Sequence, residues 1–347
     1  MPNNKGLIES NTNSIKLDFL DRKLITALCK NVRFTFSFLG KLFLSSKDRI
    51  RYRINKLTES QMFLSPILMI NPYLFGYSIN MISGNFKQLS EQQEQELIIK
   101  LTDCPFTIWV GTGIGTFDIT IYYLDKKSSI KREIKALLKK KICNLSELSL
   151  TGIHSYESLP KWFAKEQGLE DIIMKRKDSS FQKLVKKEPF LKGNKEIIEP
   201  IDKEIIKNLS IDCRESIAKI SNKMKKPYNS IKYRISYMLK RNIIGSFSSM
   251  INLSFLHMIV YAIFIKSLDN NKNLLLHLKN HQNSGWVIET KGNYNLIWYG
   301  AVKDFWQLNE CLSSIKKQFP SIKELKTMII KKDYKLTFTP KGLLDNL

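Results

Sequence analysis

The feature that most constrains the fold of this chain is an internal repeat. The run LDRKLITALCKNVRF, which begins at Leu20, aligns with IDKEIIKNLSIDCRE, which begins at Ile201. Asp21 thereby meets Asp202, and the alignment continues without a gap for roughly sixty residues. Self-similarity over such a length indicates that one structural unit occurs twice in the chain.

A second stretch repeats farther along. IWVGTGIGTFDITIYY aligns with GWVIETKGNYNLIWYG, so that Trp109 meets Trp286, and the segment after it aligns Leu148 with Leu325. Residues 15–155 and 196–332 are therefore interpreted as two copies of one unit. The intervening residues 156–195 are rich in Lys and charge, and we expect a linker there with an amphipathic helix near Leu169–Leu184.

Each copy begins with a pattern typical of three helices. Ser45 or Ser46 offers an N-cap for the third helix, and Ile50, Ile54 and Leu57 give it an apolar face at helical spacing. Copy two repeats this face, and its Pro227 suits a first helical turn. A short strand follows the third helix in each copy.

The second half of each copy alternates strand, helix, strand, strand, helix, strand. This order is the ferredoxin-like pattern. The predicted fold class is α+β, with two copies of a winged helix-turn-helix followed by a ferredoxin-like βαββαβ domain. The predicted segments are winged helix one (15–71), ferredoxin-like domain one (72–155), the linker (156–195), winged helix two (196–252) and ferredoxin-like domain two (253–347).

The outer face of the third helix carries the main functional signal. Cationic side chains surround its apolar face, an arrangement that suits a helix lying in the major groove of DNA. The whole chain has 56 Lys and Arg against 32 Asp and Glu, a net charge of +24 that favours a polyanionic partner. The predicted DNA-binding residues are Ser46, Lys47, Arg49, Arg51, Arg53, Lys56, Lys225, Lys226, Tyr228, Asn229, Lys232 and Arg234.

Two of these residues have an equally weighted structural interpretation. Arg53 and Arg234 occupy aligned positions beside the apolar face of the helix. They are placed either to contact phosphate or to form ion pairs with Asp21 and Asp202.

These residues resemble a known family. LDFLDRKLITAL, NVRF and SSKDRIRYRINKLTESQMF resemble the winged helix-turn-helix of the Lrp/AsnC regulators, and the second half resembles their sensing domain. The resemblance implies a transcriptional regulator that binds double-stranded DNA in a sequence-specific manner and senses a small molecule such as an amino acid. It implies effector-binding residues Gly115, Asp118, Gly292 and Asn295, although Asn295 replaces a usually acidic position. It also implies sensing domains that pair, here within one chain as a pseudo-dimer that could itself form a homodimer.

Two alternatives stay open. One is an enzyme similar to siroheme decarboxylase, which resembles the same two-part fold, although PFTIWVGTG and SGWVIETKG lack the histidine that such enzymes carry before the glycine turn. The other is a ligand- or partner-binding module that has lost DNA binding. The main prediction remains a regulator and not an enzyme.

The sequence offers no cofactor or metal site. Gly111, Gly113 and Gly115 precede a strand, which favours a turn between strands over a dinucleotide site. His277 and His281 stand one helical turn apart without a third ligand nearby, so no metal is predicted. The five scattered cysteines favour a reduced, cytoplasmic location, and no segment is long enough to span a membrane.

Overall fold

The computed structural model describes residues 16–166, 168, 189–191, 196–268 and 272–347. The predicted helix at Leu169–Leu184 lies outside them. The elements of copy one are α1 (Phe19–Lys30), α2 (Phe36–Phe43), α3 (Lys47–Glu59), β1 (Phe63–Ile70), β2 (Ser78–Phe86), α4 (Glu91–Asp103), β3 (Thr107–Gly115), β4 (Ile119–Asp125), α5 (Ser129–Leu138), β5 (Ile142–Tyr156) and α6 (Lys161–Glu166).

Copy two has the same order of elements, preceded by one short strand. These are β6 (Phe190–Leu191), α7 (Pro200–Ile211), α8 (Ile217–Met224), α9 (Tyr228–Lys240), β7 (Ile244–Ile251), β8 (Ile259–Ser267), α10 (Lys272–Asn280), β9 (Ser284–Gly292), β10 (Leu296–Val302), α11 (Phe305–Gln318), β11 (Ile322–Leu336) and α12 (Lys341–Asp345). The predicted α+β class with two helix-turn-helix and two ferredoxin-like units is confirmed.

The three-helix units form as their sequence dictates. Ser46 caps α3 by accepting a hydrogen bond from the Arg49 amide, and Ile50, Ile54 and Leu57 are buried. The wing is shared between the copies, because β1 pairs antiparallel with β7 in a two-stranded sheet. The two helical units are therefore joined to each other through this two-stranded sheet.

The ferredoxin-like units pair within the chain. The order β2-β4-β3-β11-β8-β10-β9-β5 returns to β2 through a β5–β2 pairing, so eight strands close on themselves. The junctions between copies are β3 with β11 and β5 with β9. The predicted intrachain pseudo-dimer is thus confirmed. Helices α4 and α5 cover one half of the sheet and α10 and α11 the other, each over its own apolar core.

The repeat extends farther than the sequence alignment indicated. In the sheet, Leu148 pairs with Gly292 just as Met328 pairs with Gly115, so Leu148 corresponds to Met328 and not to Leu325. The sequence alignment placed these strands out of register because α11 has 14 residues, whereas its counterpart α5 has 10. In the corrected register α6 corresponds to α12. The region predicted as a linker therefore contains α6, and it also contains β6, whose Phe190 is fully buried.

The glycine run is only partly the predicted turn. Gly111 and Gly113 lie inside β3, paired with β11, whereas Gly115 ends the strand with a φ of +120°. No helix among the described residues is both long and apolar enough to cross a membrane. Within the same residues no three His, Cys, Asp or Glu side chains are grouped to hold a metal ion.

Candidate functional site

A cavity of about 190 Å³ lies where the shared wing meets the closed sheet. Both copies contribute to it. Its walls come from the wing strands β1 and β7, from the sheet strands β2, β3, β4, β8, β9 and β10, and from β5, β11 and the residues that follow them. The lining residues are Ile67, Met69, Ile79, Ile108, Trp109, Tyr122, Leu150, Ile153, Glu157, Ser158, Leu159, Pro160, Ser248, Met250, Ile251, Leu253, Val260, Gly285, Trp286, Ile288, Tyr299, Gly300, Ala301, Ile330, Asp333, Leu336 and Phe338.

Two tyrosines meet between the two halves of the cavity. Tyr122 of β4 and Tyr299 of β10 are equivalent residues of the two copies, and their hydroxyl oxygens are 2.7 Å apart in a hydrogen bond. Burial raises the pKa of both phenols, so both hydroxyls stay protonated over the physiological range. Two neutral tyrosines are therefore part of the cavity lining.

One half of the cavity contains an acid. Asp333 on β11 stands opposite Gly111 on β3, and Trp109 Nε1 donates a hydrogen bond of 2.6 Å to Asp333 Oδ1. A Cβ on Gly111 would lie 2.3 Å from the Trp109 ring, so the missing side chain gives the indole room to reach the carboxyl group. Burial raises the pKa of Asp333 to about 6, and the Trp109 hydrogen bond only partly opposes that rise.

At the position equivalent to Asp333, the other half of the cavity is aliphatic and aromatic. Ile153 takes the place of Asp333 and pairs with Ile288, which takes the place of Gly111. Trp286, the counterpart of Trp109, stacks on Phe338 with ring centroids 5.3 Å apart and planes 14° apart. The sheets share one backbone pattern, but only one half of the cavity presents an ionisable group at this position.

The cavity lining contains carboxylates but no cation. Glu157 is the second acid of the lining, and it pairs with Lys30 of α1 at 3.4 Å. No Lys, Arg or His belongs to the lining formed by the described residues. A substrate carboxylate that entered would therefore lose water without gaining an ion pair from the wall.

The predicted DNA-binding residues fall into two groups. Most lie exposed on α3, on α9 and in the loop before α9, namely Ser46, Lys47, Arg49, Arg51, Lys56, Lys225, Lys226, Tyr228, Asn229 and Lys232. Their role stays a prediction. None of them lines the cavity.

Arg53 and Arg234 instead stabilise their own helical units. Arg53 lies 2.7 Å from Asp18 and 3.1 Å from Asp21 at the start of α1. Arg234 donates to Asp202 at 2.7 Å. Carboxylates at the start of the first helix of each unit thus hold both guanidinium groups, as the ion-pair alternative predicted, and a role in phosphate contact stays a prediction.

The predicted effector residues make structural contacts, and their role in binding an effector stays a prediction. Asp118 accepts a hydrogen bond of 2.9 Å from the Phe86 amide, and Asn295 bonds both the amide and the carbonyl of Ser267 at 2.8 Å. A Cβ on Gly115 would lie 2.5 Å from the Thr327 carbonyl oxygen, and one on Gly292 would lie 2.8 Å from that of Glu147. These four residues fix turns and the junctions between copies, and none lines the cavity.

The described residues form two winged-helix and two ferredoxin-like units arranged around an apolar cavity. No protein-family model and no curated protein matches the sequence. Among solved structures the chain is similar to siroheme decarboxylase NirDL, with a TM-score of 0.57 and 11% identity over 92% of this chain and 93% of that one. The same values hold for its complex with an iron-uroporphyrin III analogue.

Regulators of the Lrp type match only in part. The leucine response regulatory protein LrpA of Mycobacterium tuberculosis has a TM-score of 0.35 and 15% identity over 38% of this chain and 92% of its own. A transcriptional regulator gives 0.35 and 16% over 39% of this chain and 92% of its own. Scores this low carry no argument about function. The Lrp-like fold predicted from the resemblance is nevertheless supported by the architecture itself.

The prediction of a DNA-binding regulator that is not an enzyme is wrong on this comparison. A solved structure that matches nearly the whole chain is that of an enzyme. At 11% identity the likeness shows the fold and not the reaction.

Sequence reasoning missed the residues that make up the cavity. Asp333 and Trp109 are 224 residues apart, and the two tyrosines are 177 apart. Each looks like an ordinary strand residue in its own segment. The only available signal was a difference between the copies, since Gly111 of copy one aligns with Ile288 of copy two.

Proposed function

We propose that the chain is a decarboxylase that acts on a conjugated, planar ring bearing a carboxylate side chain, and that the cavity between the two copies is its active site. The observation that carries the proposal is a largely apolar cavity whose described lining residues include two acids, Asp333 and Glu157, and the hydroxyl groups of two tyrosines and two serines, but no cationic side chain. The likeness in fold to siroheme decarboxylase NirDL supports the same reaction class.

The chemistry follows from desolvation. A carboxylate is strongly stabilised by water, whereas the transition state for loss of CO₂ spreads the charge into the conjugated ring. An apolar wall without an ion pair therefore raises the free energy of the bound carboxylate more than that of the transition state. A Lys or Arg in the wall would stabilise the carboxylate and oppose the reaction.

The size of the cavity limits what enters it. Its volume of about 190 Å³ is below the roughly 300–1,000 Å³ of pockets that enclose a drug-sized ligand. The cavity accommodates one ring with its acid side chain, and the rest of a larger macrocycle stays outside. Both a carboxylated tetrapyrrole and a small arylacetic acid have this chemistry, and the tetrapyrrole is favoured by the ligand of the matching structure.

The test is an absorbance titration with iron-uroporphyrin III, followed by mass spectrometry of the products. We expect a shift of the main absorption band with one ligand bound per chain, and then the loss of CO₂ from the macrocycle. A parallel reaction with indole-3-acetate tests whether the substrate is instead a small arylacetic acid. No binding and no CO₂ release with either compound would contradict the proposal.

A matched pair of variants ties the activity to the cavity. Ile330→Trp adds bulk to a residue of the cavity wall, and Lys331→Trp adds the same side chain at an exposed neighbour. We expect Ile330→Trp to abolish binding and Lys331→Trp to leave it unchanged. Equal affinity in both variants would place the ligand elsewhere.

A further inference from the structure

We infer that Asp333 is the acid that protonates the substrate carbon after CO₂ leaves, so that a cavity built from two copies has a single reactive side. This inference rests on the proposed function. It also assigns a role to Trp109 and to Gly111, of which Gly111 is replaced by Ile288 in copy two.

The first support is the way in which the acid is held. Asp333 lines the cavity, and its carboxyl group is oriented by the indole N–H of Trp109 at 2.6 Å. The indole reaches it across Gly111, the residue that directly faces Asp333 in the sheet. Trp109 thus acts as a positioning residue, and Gly111 provides the space that this position needs.

The second support is the protonation state. Burial moves the pKa of Asp333 up to about 6, so the free protein already carries a fraction of protonated carboxyl group near neutral pH. A substrate carboxylate beside it disfavours a second negative charge and raises the pKa further. In the reacting complex, Asp333 therefore holds a proton that it can donate.

The step is balanced without an added oxidant or reductant. The bond between the side-chain carbon and the carboxylate carbon breaks, CO₂ departs, and the electron pair enters the conjugated ring. That pair then forms a C–H bond with the proton of the Asp333 carboxyl group. Asp333 is left as a carboxylate and regains a proton from water, so each cycle consumes one proton.

The third support is the contrast with the opposite half. Ile153 and Ile288 occupy the positions equivalent to Asp333 and Gly111, and neither can donate a proton. The stacked Trp286 and Phe338 present aromatic surface there instead. A planar ring packs against this aromatic half, while its acid side chain reaches Asp333, so each chain turns over one substrate in one orientation.

The central experiment compares wild type, Asp333→Asn and Glu289→Gln in single-turnover reactions with iron-uroporphyrin III. Asn keeps an oxygen that can accept the Trp109 hydrogen bond, and Glu289 is a carboxylate outside the cavity lining. We expect Asp333→Asn to bind the macrocycle normally and to slow CO₂ release by about 10²–10⁴-fold, the usual contribution of a general acid. Glu289→Gln should react like wild type.

A second readout does not depend on turnover. The infrared carbonyl band of a protonated carboxyl group should titrate near pH 6 in the free protein and be absent from Asp333→Asn. Trp109→Phe removes a hydrogen bond that favours the carboxylate, so the midpoint should move to higher pH. A merely structural role for Trp109 would leave the midpoint in place.

The possible failures are distinguishable. A wild-type protein that neither binds nor decarboxylates the macrocycle overturns the proposed function, and the inference with it. Full turnover by Asp333→Asn overturns the inference alone, as does an infrared band that persists in that variant. Loss of turnover in Glu289→Gln as well would mean that the decrease is not specific to Asp333.

Discussion

The two halves of the cavity share a backbone and differ in a few side chains. In one half Trp109 reaches Asp333 across a glycine, and in the other Ile288 faces Ile153. The symmetric part of the molecule, namely the strand order and the hydrogen-bonded tyrosines, builds the cavity. The asymmetric part confines the Asp333–Trp109 pair to one half, so under the proposed function a duplicated fold would carry one reaction without a second active site.

The copies also differ outside the cavity, in the ion pair between the third and the first helix of each unit. Breaking this ion pair is expected to give the largest change in stability. Asp202 is fully buried, whereas Asp21 is 6% exposed, and Arg53 keeps more exposed surface than Arg234. Asp202→Ala removes a carboxylate that neutralises the Arg234 guanidinium group in the more buried of the two sites. We expect the free energy of unfolding to fall by about 3–5 kcal/mol. Asp21→Ala should cost about 1–3 kcal/mol.

Guanidinium denaturation of both variants measures this difference. The double variant Asp202→Leu and Arg234→Met serves as the control, because replacing a buried pair by apolar groups is often close to neutral. It should recover much of the lost stability. A larger loss for Asp21→Ala than for Asp202→Ala would show that burial does not rank the two pairs.

A dependence of stability on pH that arises from two histidines of copy two is expected to be smaller than the effect of breaking the ion pair. His281 and His277 lie on or next to α10, and burial lowers the pKa of His281 from 6.5 to about 4, while the pKa of His277 is also lowered. The unfolded chain takes up this proton below about pH 6.5, but the folded chain does so only near pH 4. Stability is therefore present above pH 6.5 and is lost as the pH falls to 4, by up to about 3 kcal/mol for His281.

The matched variant takes its residue from copy one. Cys104 is the residue of copy one that aligns with His281, so His281→Cys removes the titrating group in favour of a side chain that the fold already accepts. Its stability between pH 6.5 and 4 should decline less steeply than that of wild type. Identical slopes would assign the acid sensitivity to other groups.

The sequence allowed the backbone to be predicted better than the site. Ser46, Ile50 and Ile54 revealed α3 because capping and helical periodicity are local properties. Gly111 was misread as part of a turn, since a glycine inside a strand resembles a breaker until its partner strand is known. Asp333 has no local signature, because the role proposed for it depends on a tryptophan 224 residues away.

The smallest expected effect separates the two helix ends. Gln61 and Asn242 follow α3 and α9 in the left-handed conformation, with φ of 62° and 55°. Gln61→Gly relieves this conformation and should stabilise the chain by about 0.5–1 kcal/mol. Asn242→Gly instead removes the hydrogen bond of 2.8 Å from Asn242 to the Pro189 carbonyl. Losing this hydrogen bond costs about 0.5–1.5 kcal/mol, which offsets any gain in stability from the glycine. Thermal denaturation should therefore show a higher Tm for Gln61→Gly and no increase for Asn242→Gly. An equal increase in Tm for Asn242→Gly would mean that the hydrogen bond to Pro189 does not stabilise the fold.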